Sequence, residues 1–468
     1  MLIASFSSNY KASNRSFLTN QRPLRCCHLS GRFLGMMEQT VRRIGNAMRM
    51  QPQELTPASR ETALRLSIYE GAMASVFVSI TANGLVTGLA LYLGASPLVL
   101  GVIGTFPFVT QLFQLLGAYL EERYANRRLL AVISEAASRL MWAPIAVLPF
   151  LPYSPTIVIF LFVFLQFLSA ACNGINVNCW SSWMTDLVPA ERRGRYFGIR
   201  NTVASVATML AGLASGYTLD YYKTNVSEAY AYAVTLAIGV VTAMIGVVMV
   251  CFQAEPPLRR RGSLDIRTMF ADPLKDGAYR KLIISAATWA FVVGVASPFF
   301  TAYGIETLKM TFAELAFIGI ISSVASIVVY PIVGRLQDRF GDKIVVVCSA
   351  FCVVPLPLGW IFSAPGWLWP LFCTSLFAGM FWPGINQGFA NISMARAPEA
   401  GKGAYLAAYG AVSGIGVVLS GIIGGVIAQL IGSSSWQVAG VTINHYAVLF
   451  VFSMLLRFVA AMWVLRRL

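Results

Sequence analysis

Charge is scarce in this chain of 468 residues: Asp, Glu, Lys and Arg together make up 12% of it, about half the ~25% of a soluble globular protein. Histidine is scarcer, with only His28 and His445. Clustered His, Asp or Glu, which a metal-bound or acid–base active site requires, is therefore missing, and the chain is read as non-enzymatic, with no cofactor and no metal. The eight cysteines form no redox or metal spacing, since Cys26 and Cys27 adjoin and Cys348 and Cys352 stand one helical turn apart in an apolar run. They read as packing residues. Acid is absent before Glu38, although arginine is frequent there.

What the chain has instead is apolar length. Hydrophobic residues make up 57% and the mean hydropathy is +0.67. Runs of about 20 apolar residues, enough to cross a hydrocarbon core of about 30 Å as helices, fall at 68–92, 98–119, 129–151, 156–184, 196–217, 230–252, 282–303, 315–333, 344–362, 367–390, 404–431 and 446–465. The pattern predicts an all-α integral membrane protein with twelve spans.

The second half of the chain repeats the first. Gly334-Arg-Leu-Gln-Asp338-Arg339-Phe-Gly341-Asp-Lys343 has a worn copy in Ala118-Tyr-Leu-Glu-Glu122-Arg123-Tyr-Ala125-Asn-Arg127, at the same place between two spans. Gly174-Ile175-Asn176 recurs as Gly384-Ile385-Asn386, and Gly194-Arg195-Tyr196 as Gly403-Ala404-Tyr405, at nearly the same interval. Internal repeats of this size in an apolar chain are typical of carriers built from related halves around a midplane site. The expected organisation is a basic tail over 1–64, a six-helix bundle over 65–252, a basic linker over 253–281 and a second bundle over 282–468.

The net charge of +15 has a topological origin. Arg123, Arg127, Arg128, Arg193, Arg195, Arg259, Arg260, Arg261, Arg335, Arg339, Lys343 and Arg396 lie in alternate loops, whereas the intervening loops hold only Lys223 and Lys309. The positive-inside rule then places both termini and the basic loops in the cytoplasm, so the basicity implies no nucleic-acid partner. The exported loops contain no cysteine, which excludes a disulfide framework. Residues 1–64 resemble a transit peptide in composition. The same composition would follow from a start codon assigned too early, with Met36, Met37, Met48 or Met50 as the true beginning, or from a cytosolic arm resting on anionic lipid.

The Gly334-x-x-x-Asp338-Arg339-x-Gly341-x-Lys343 loop resembles the signature of the major facilitator superfamily between its second and third helices and again between its eighth and ninth. The Trp183-Met184-Thr185-Asp186-Leu187-Val188-Pro189 region resembles bacterial members whose substrates are generally unassigned. The resemblance implies two pseudo-symmetric six-helix bundles, a monomer in a bacterial inner membrane, and a small organic solute moved by alternating access. It also implies a gate in which Glu122 faces the start of the eleventh helix near Ala404 and Asp338 the start of the fifth near Tyr196, while Asp186 pairs with Arg123 or Arg127. The first copy departs from the signature at Glu122, Ala125 and Asn126. Ladders of small residues in helices five and eleven (Ala207, Ala211, Gly212, Ser215, Gly216; Gly416, Ser420, Gly421, Gly424, Gly425) suit close helix packing. The helix-five ladder lacks the proline of proton-coupled drug antiporters.

In that fold helices one, four, seven and ten line the cavity, which makes their polar and aromatic residues the substrate candidates. They are Ser79, Thr81 and Asn83; Gln166, Asn173, Asn176 and Trp180; Thr288, Trp289 and Phe300; and Trp382 and Asn386. Asn173, Asn176 and Trp180 share one helical face, and the asparagines are equally suited to interhelical glue. Charges within spans each cost about 2.5–3.5 kcal/mol at the centre. Glu135 and Arg139, one turn apart, are expected to neutralise each other. Glu70 admits two readings, a desolvated proton-exchanging acid or an interfacial ion pair with Arg65. Arg200 is expected to snorkel outward, and Arg457 has no evident partner. The rival to a carrier is a non-transporting sensor or assembly factor that keeps the fold.

Overall fold

A computed structural model describes residues 55–468 except 82, 125, 190–192, 257–271, 399–401, 433–435, 439–440 and 468. The basic stretch before residue 55 and most of the linker lie outside the described residues. Eleven helical segments among the described residues are long and apolar enough to cross a bilayer. A further helix, Trp369–Arg396, is long enough, but Trp382, Pro383, Asn386 and Gln387 reduce its apolarity. It is the tenth span, and its polar stretch faces a cavity described below. One two-stranded antiparallel ribbon, Trp436–Val438 with Val441–Ile443, joins the last two spans.

Several spans are broken. The first runs as Pro57–Ile80, capped at Thr81, and resumes as Asn83–Tyr92. The second is Pro97–Ile103 followed by Phe106–Tyr124, and the seventh Gly277–Gly294 followed by Phe299–Glu306. The ninth breaks between Asp342–Val353 and Leu356–Ile361, beside Pro355 and Pro357. Proline frees backbone groups and starts a new segment at the seventh and ninth. In the first and second spans the break falls at Thr81 and at Gly104-Thr105, where no proline precedes it.

The halves meet at the end opposite the basic loops. One hydrophobic core draws on both, from Phe77, Leu89 and Phe106 to Phe299, Tyr303, Phe312 and Phe450. A second core, containing Ile283, Trp289, Val346 and Ile385, belongs to the second half alone. The eleventh span, Lys402–Ile431, shows how the halves diverge. A Cβ added to Gly425 would lie 2.8 Å from Cα of Leu98, and one on Gly421 2.8 Å from the carbonyl of Gly101. Added to Gly414 it would reach Oε1 of Gln111 at 3.4 Å and Cβ of Phe108 at 3.9 Å, and at Gly410 it would meet nothing within 4 Å. The gap between spans two and eleven thus widens toward the basic loops. The other side of the same helix packs within its own half, with Gly416 against the carbonyl of Ala287 and Gly424 against that of Val295.

A carboxylate closes the contact between spans five and eight. Asp220, near the end of Arg193–Asn225, accepts hydrogen bonds from the N–H groups of Phe312 (3.2 Å) and Ala313 (3.1 Å) at the start of Phe312–Phe340. Thr311 and Glu314 form a capping box on the same turn, so side chains of both halves serve its exposed donors.

Candidate functional site

Two cavities flank the junction of the halves and share Gly104, Ser297 and Pro298, the residues at the breaks of spans two and seven. The first, ≈ 270 Å³, lies in the first half and takes in Thr81, Ser138, Arg139, Gln166 and Asn173. The second, ≈ 390 Å³, is lined by the second half together with Phe108, and presents Trp289, Trp382, Phe389, Tyr409 and Asn386. Broken helices at the midplane are where carriers of this architecture expose polar backbone and side chains.

Six of the substrate candidates therefore line cavities: Thr81, Gln166, Asn173, Trp289, Trp382 and Asn386. The others stand elsewhere. Ser79 donates to the carbonyl of Thr208 at 2.9 Å and ties span one to span five. Phe300 stacks on Phe450 at 4.4 Å and leans on Trp360 at 5.2 Å. Asn176 is buried on span four, Trp180 carries the Arg200 guanidinium over its ring at 4.2 Å, and Thr288 is half-buried outside both linings. The side chain of Asn83 lies outside the described residues. Of Asn173, Asn176 and Trp180, expected to act from one face, only Asn173 lines a cavity.

Four charges sit at or behind the first cavity. Arg200 bonds Glu70 at 3.1 Å and donates to the carbonyl of Ser67 at 3.2 Å. It points inward, not toward an interface as the snorkelling expectation had it. Arg65 instead pairs with Glu61 at 3.6 Å on the helix surface, so the interfacial Arg65–Glu70 pair gives way to a buried one. Glu135 and Arg139 pair at 3.5 Å, and Arg139 also caps the Phe77 ring at 4.4 Å. Arg457 is buried too, and its Nε has no hydrogen-bond partner among the described residues.

The loop signature behaves differently in its two copies. Arg127 is fully buried. It bonds Asp186 at 2.6 Å and Glu255 at 3.3 Å, and donates to the carbonyls of Ser182 (3.2 Å) and Pro256 (2.9 Å). The backbone N–H groups of Arg127 and Arg128 also reach Glu255, at 2.8 and 3.2 Å. Burial pushes the Glu255 carboxyl above the usual range, against the pull of those N–H groups and of the Arg127 guanidinium. Gln253 and Glu255, at the start of the basic linker expected over 253–281, are buried, Glu255 against Arg127. Arg123 donates to the Tyr119 hydroxyl at 2.9 Å, leaving Asp186 to Arg127. The side chain of Glu122 lies outside the described residues, while its neighbour Glu121 is buried and accepts from Asn178 (3.0 Å) and from Ser182. In the second copy Gly334 is half-buried and Asp338, Arg339, Gly341 and Lys343 are exposed. Arg339 lies over Phe340 at 5.2 Å. Asn391 there binds Asp342 at 3.0 Å and Gln337 at 3.4 Å.

The sequence profile of the Major Facilitator Superfamily matches residues 71–418, a stretch that holds both loop copies and all the cavity-lining residues but Gly421. The chain belongs to the major facilitator superfamily. It is an integral membrane protein of a transporter family, built of twelve helices in two related bundles. Among solved structures similar to it is a point variant of the nucleoside transporter NupG. That match has a TM-score of 0.69 at 11% identity and covers 87% of this chain and 99% of the other. A D-xylose–proton symporter matches with TM-score 0.65 at 15% identity, covering 87% and 97%. A bacterial homolog of the human lysosomal transporter Spinster, inward-facing and unoccupied, matches at 0.58 and 15%, covering 88% and 98%. At such identities the likeness shows the fold alone. No curated protein matches the chain.

Sequence reasoning missed Asp220, Glu121, Glu255 and the inward turn of Arg200. The capping box Thr311-x-x-Glu314 was a readable sign of a helix start, but nothing in the sequence tied Asp220 to it. For Glu121 and Glu122 the loop motif selected the second acid, whereas helix geometry turns the first toward span four.

Proposed function

We propose that this superfamily member is a secondary active carrier of a small organic solute, working by alternating access with a proton as the coupling ion. The observation that carries the reading is the pair of cavities, one from each half, meeting at Gly104, Ser297 and Pro298 while the eleventh helix draws away from the second toward one end. A solute held at that junction touches both halves, so rocking one against the other changes which side it sees. The positive-inside rule puts the widening end in the cytoplasm, making this the inward-open state, with lipid around a monomer. Both termini are then cytoplasmic and the membrane is the plasma membrane.

The carboxylates available for proton exchange are Glu70 and Glu135, buried beside Arg200 and Arg139. The nucleoside transporter and the D-xylose–proton symporter carry organic solutes on the same fold, which favours a carrier over a sensor or assembly factor. Purified protein in liposomes should show saturable counterflow of a solute found by thermal-shift screening, since a ligand bound to the native state raises its melting temperature. Ligand binding without counterflow of that ligand would establish the sensor instead. Glu70→Gln with unchanged pH dependence of transport would remove Glu70 from coupling.

A further inference from the structure

The polar groups of the first cavity are not equally occupied. Ser138 and Ser169 hydrogen-bond each other at 3.1 Å, Ser169 also serves the Trp142 indole at 3.0 Å, and Thr110 donates to the carbonyl of Ala170 at 3.1 Å. Two buried donors remain: Nε of Arg139 and Nε2 of Gln166 have no hydrogen-bond partner among the described residues, although both residues are 6% exposed. Unmet N–H groups inside a protein are costly, and both residues line the same cavity. Donors without acceptors call for an acceptor-rich ligand group, and a guanidinium beside a primary amide is suited to a carboxylate. The existing anion is a poor match, because the Glu135–Arg139 contact of 3.5 Å is long for a charge-assisted bond. Across the junction the second cavity offers the opposite chemistry: Trp289, Trp382, Phe108 and Phe389 form an aromatic enclosure.

We propose that the carrier's substrate is an amphipathic organic anion whose carboxylate is held by Arg139 and Gln166 and whose apolar body lies among Trp289, Trp382 and Phe389. The identification of the solute class rests on the carrier reading above. Binding shifts Arg139 from Glu135 to the ligand. Glu135 is then a buried carboxylate deprived of its cation, the situation in which a carboxylate neutralises itself. The charged and titratable groups around it are Arg139 on its own helix, Glu70 on span one, Arg200 on span five and the Cys251 thiol at the end of span six, and Glu70 and Arg200 already pair with each other. One proton from the water of the open cavity goes to Glu135 as one anion enters, and the charge of the site is unchanged. Coupling thus follows from a competition for a single guanidinium.

The test uses full-length protein and a matched panel: 3-phenylpropionate, 4-phenylbutyrate and indole-3-propionate, each beside its primary amide and the amine of the same skeleton. The carboxylates should raise the melting temperature, and the amides and amines should not. In weakly buffered solution a pH indicator should register uptake of about one proton per carboxylate bound. Glu135→Gln should bind the carboxylates at least as tightly without proton uptake. Because Arg139→Gln alone strands Glu135, the Glu135→Gln/Arg139→Gln double variant keeps the site neutral and foldable, and should bind carboxylates about tenfold more weakly or worse. Stabilisation by amides or amines equal to that by acids, no response to any acid, or undiminished binding by the double variant would each overturn the proposal. The carrier reading is judged separately. Counterflow of a neutral or cationic solute would keep the carrier and sink the anion, whereas acid binding without counterflow would keep the anion site and sink the carrier.

Discussion

The two halves share a fold but not a chemistry. Buried charge is concentrated in the first, in Glu70, Glu121, Arg127, Arg128, Glu135, Arg139 and Glu255, while among the described residues of the second only Arg457 is a buried charge. The second half supplies aromatic surface to its cavity instead. The halves thus share a helical frame while their polar interiors differ. Each charge buried in the first half carries a desolvation cost that its partners must offset, and the second half avoids most of it.

The sharpest break of this comparison comes from equivalent positions in the two loop copies. Arg127→Ala would leave the buried Glu255 without its cation and remove the partner of the exposed Asp186, and should destabilise the protein by about 3–5 kcal/mol. Lys343→Ala, at the matching exposed position, should stay within about 0.5 kcal/mol. Thermal unfolding of both variants in detergent decides the matter, and equal losses would show that the copies are not specialised.

A smaller contrast concerns Asp220 and Asp338, the acids near the ends of spans five and eight. Asp220→Ala removes a carboxylate from two N–H groups across the junction, worth about 1–2 kcal/mol. The population should shift away from closure at that end. A thiol placed at Ser297 should then react faster with a reagent that cannot cross the membrane, applied from the side of Lys223 and Lys309. Asp338→Ala should leave that rate unchanged, because Asp338 is exposed in this state.

At the cavities, Trp382→Ala or Asn173→Ala should weaken binding of any ligand of the site about tenfold. Asn176→Ala, outside both linings, should have little effect on ligand titrations followed by tryptophan fluorescence. The smallest expected effect is a pH slope. The folded-state pKa of Glu255 is raised by burial, so the folded protein holds that proton more tightly than the unfolded chain. Its contribution favours folding at low pH and is lost as pH rises from about 4.5 through the folded value. Glu255→Gln should flatten that part of the melting-temperature profile, and a slope of the opposite sign would contradict the assignment.

The twelve spans were legible because crossing a bilayer imposes a length and a composition that few other constraints produce. The tenth helix reads as an apolar run over 367–390, although its polar stretch keeps it out of the eleven segments that qualify by length and composition. The breaks at Thr81 and Gly104 were not legible, since no proline marks them and the interruption depends on how the halves meet. The cavity linings were visible in part: the resemblance pointed to spans one, four, seven and ten, and of the residues chosen there Thr81, Gln166, Asn173, Trp289, Trp382 and Asn386 line cavities, but the same choice gave equal standing to Ser79 and Phe300, which contact neighbouring helices. Partners of buried charge were the least readable. Arg65 is nearer to Glu70 in sequence than Arg200 is, and only the tertiary fold reverses that order.

Arg127 also sets an order of events in biosynthesis. Its guanidinium is satisfied by groups on span four and by Glu255 and Pro256, which leave the ribosome well over a hundred residues' worth of synthesis later on the scale of about 5–20 residues per second. Until then Arg127 has only its span-four partners, Asp186 and the Ser182 carbonyl. Once Pro256 has emerged, the leading bundle can lock before its twin has been threaded, so the nascent protein passes through a natural checkpoint at its midpoint.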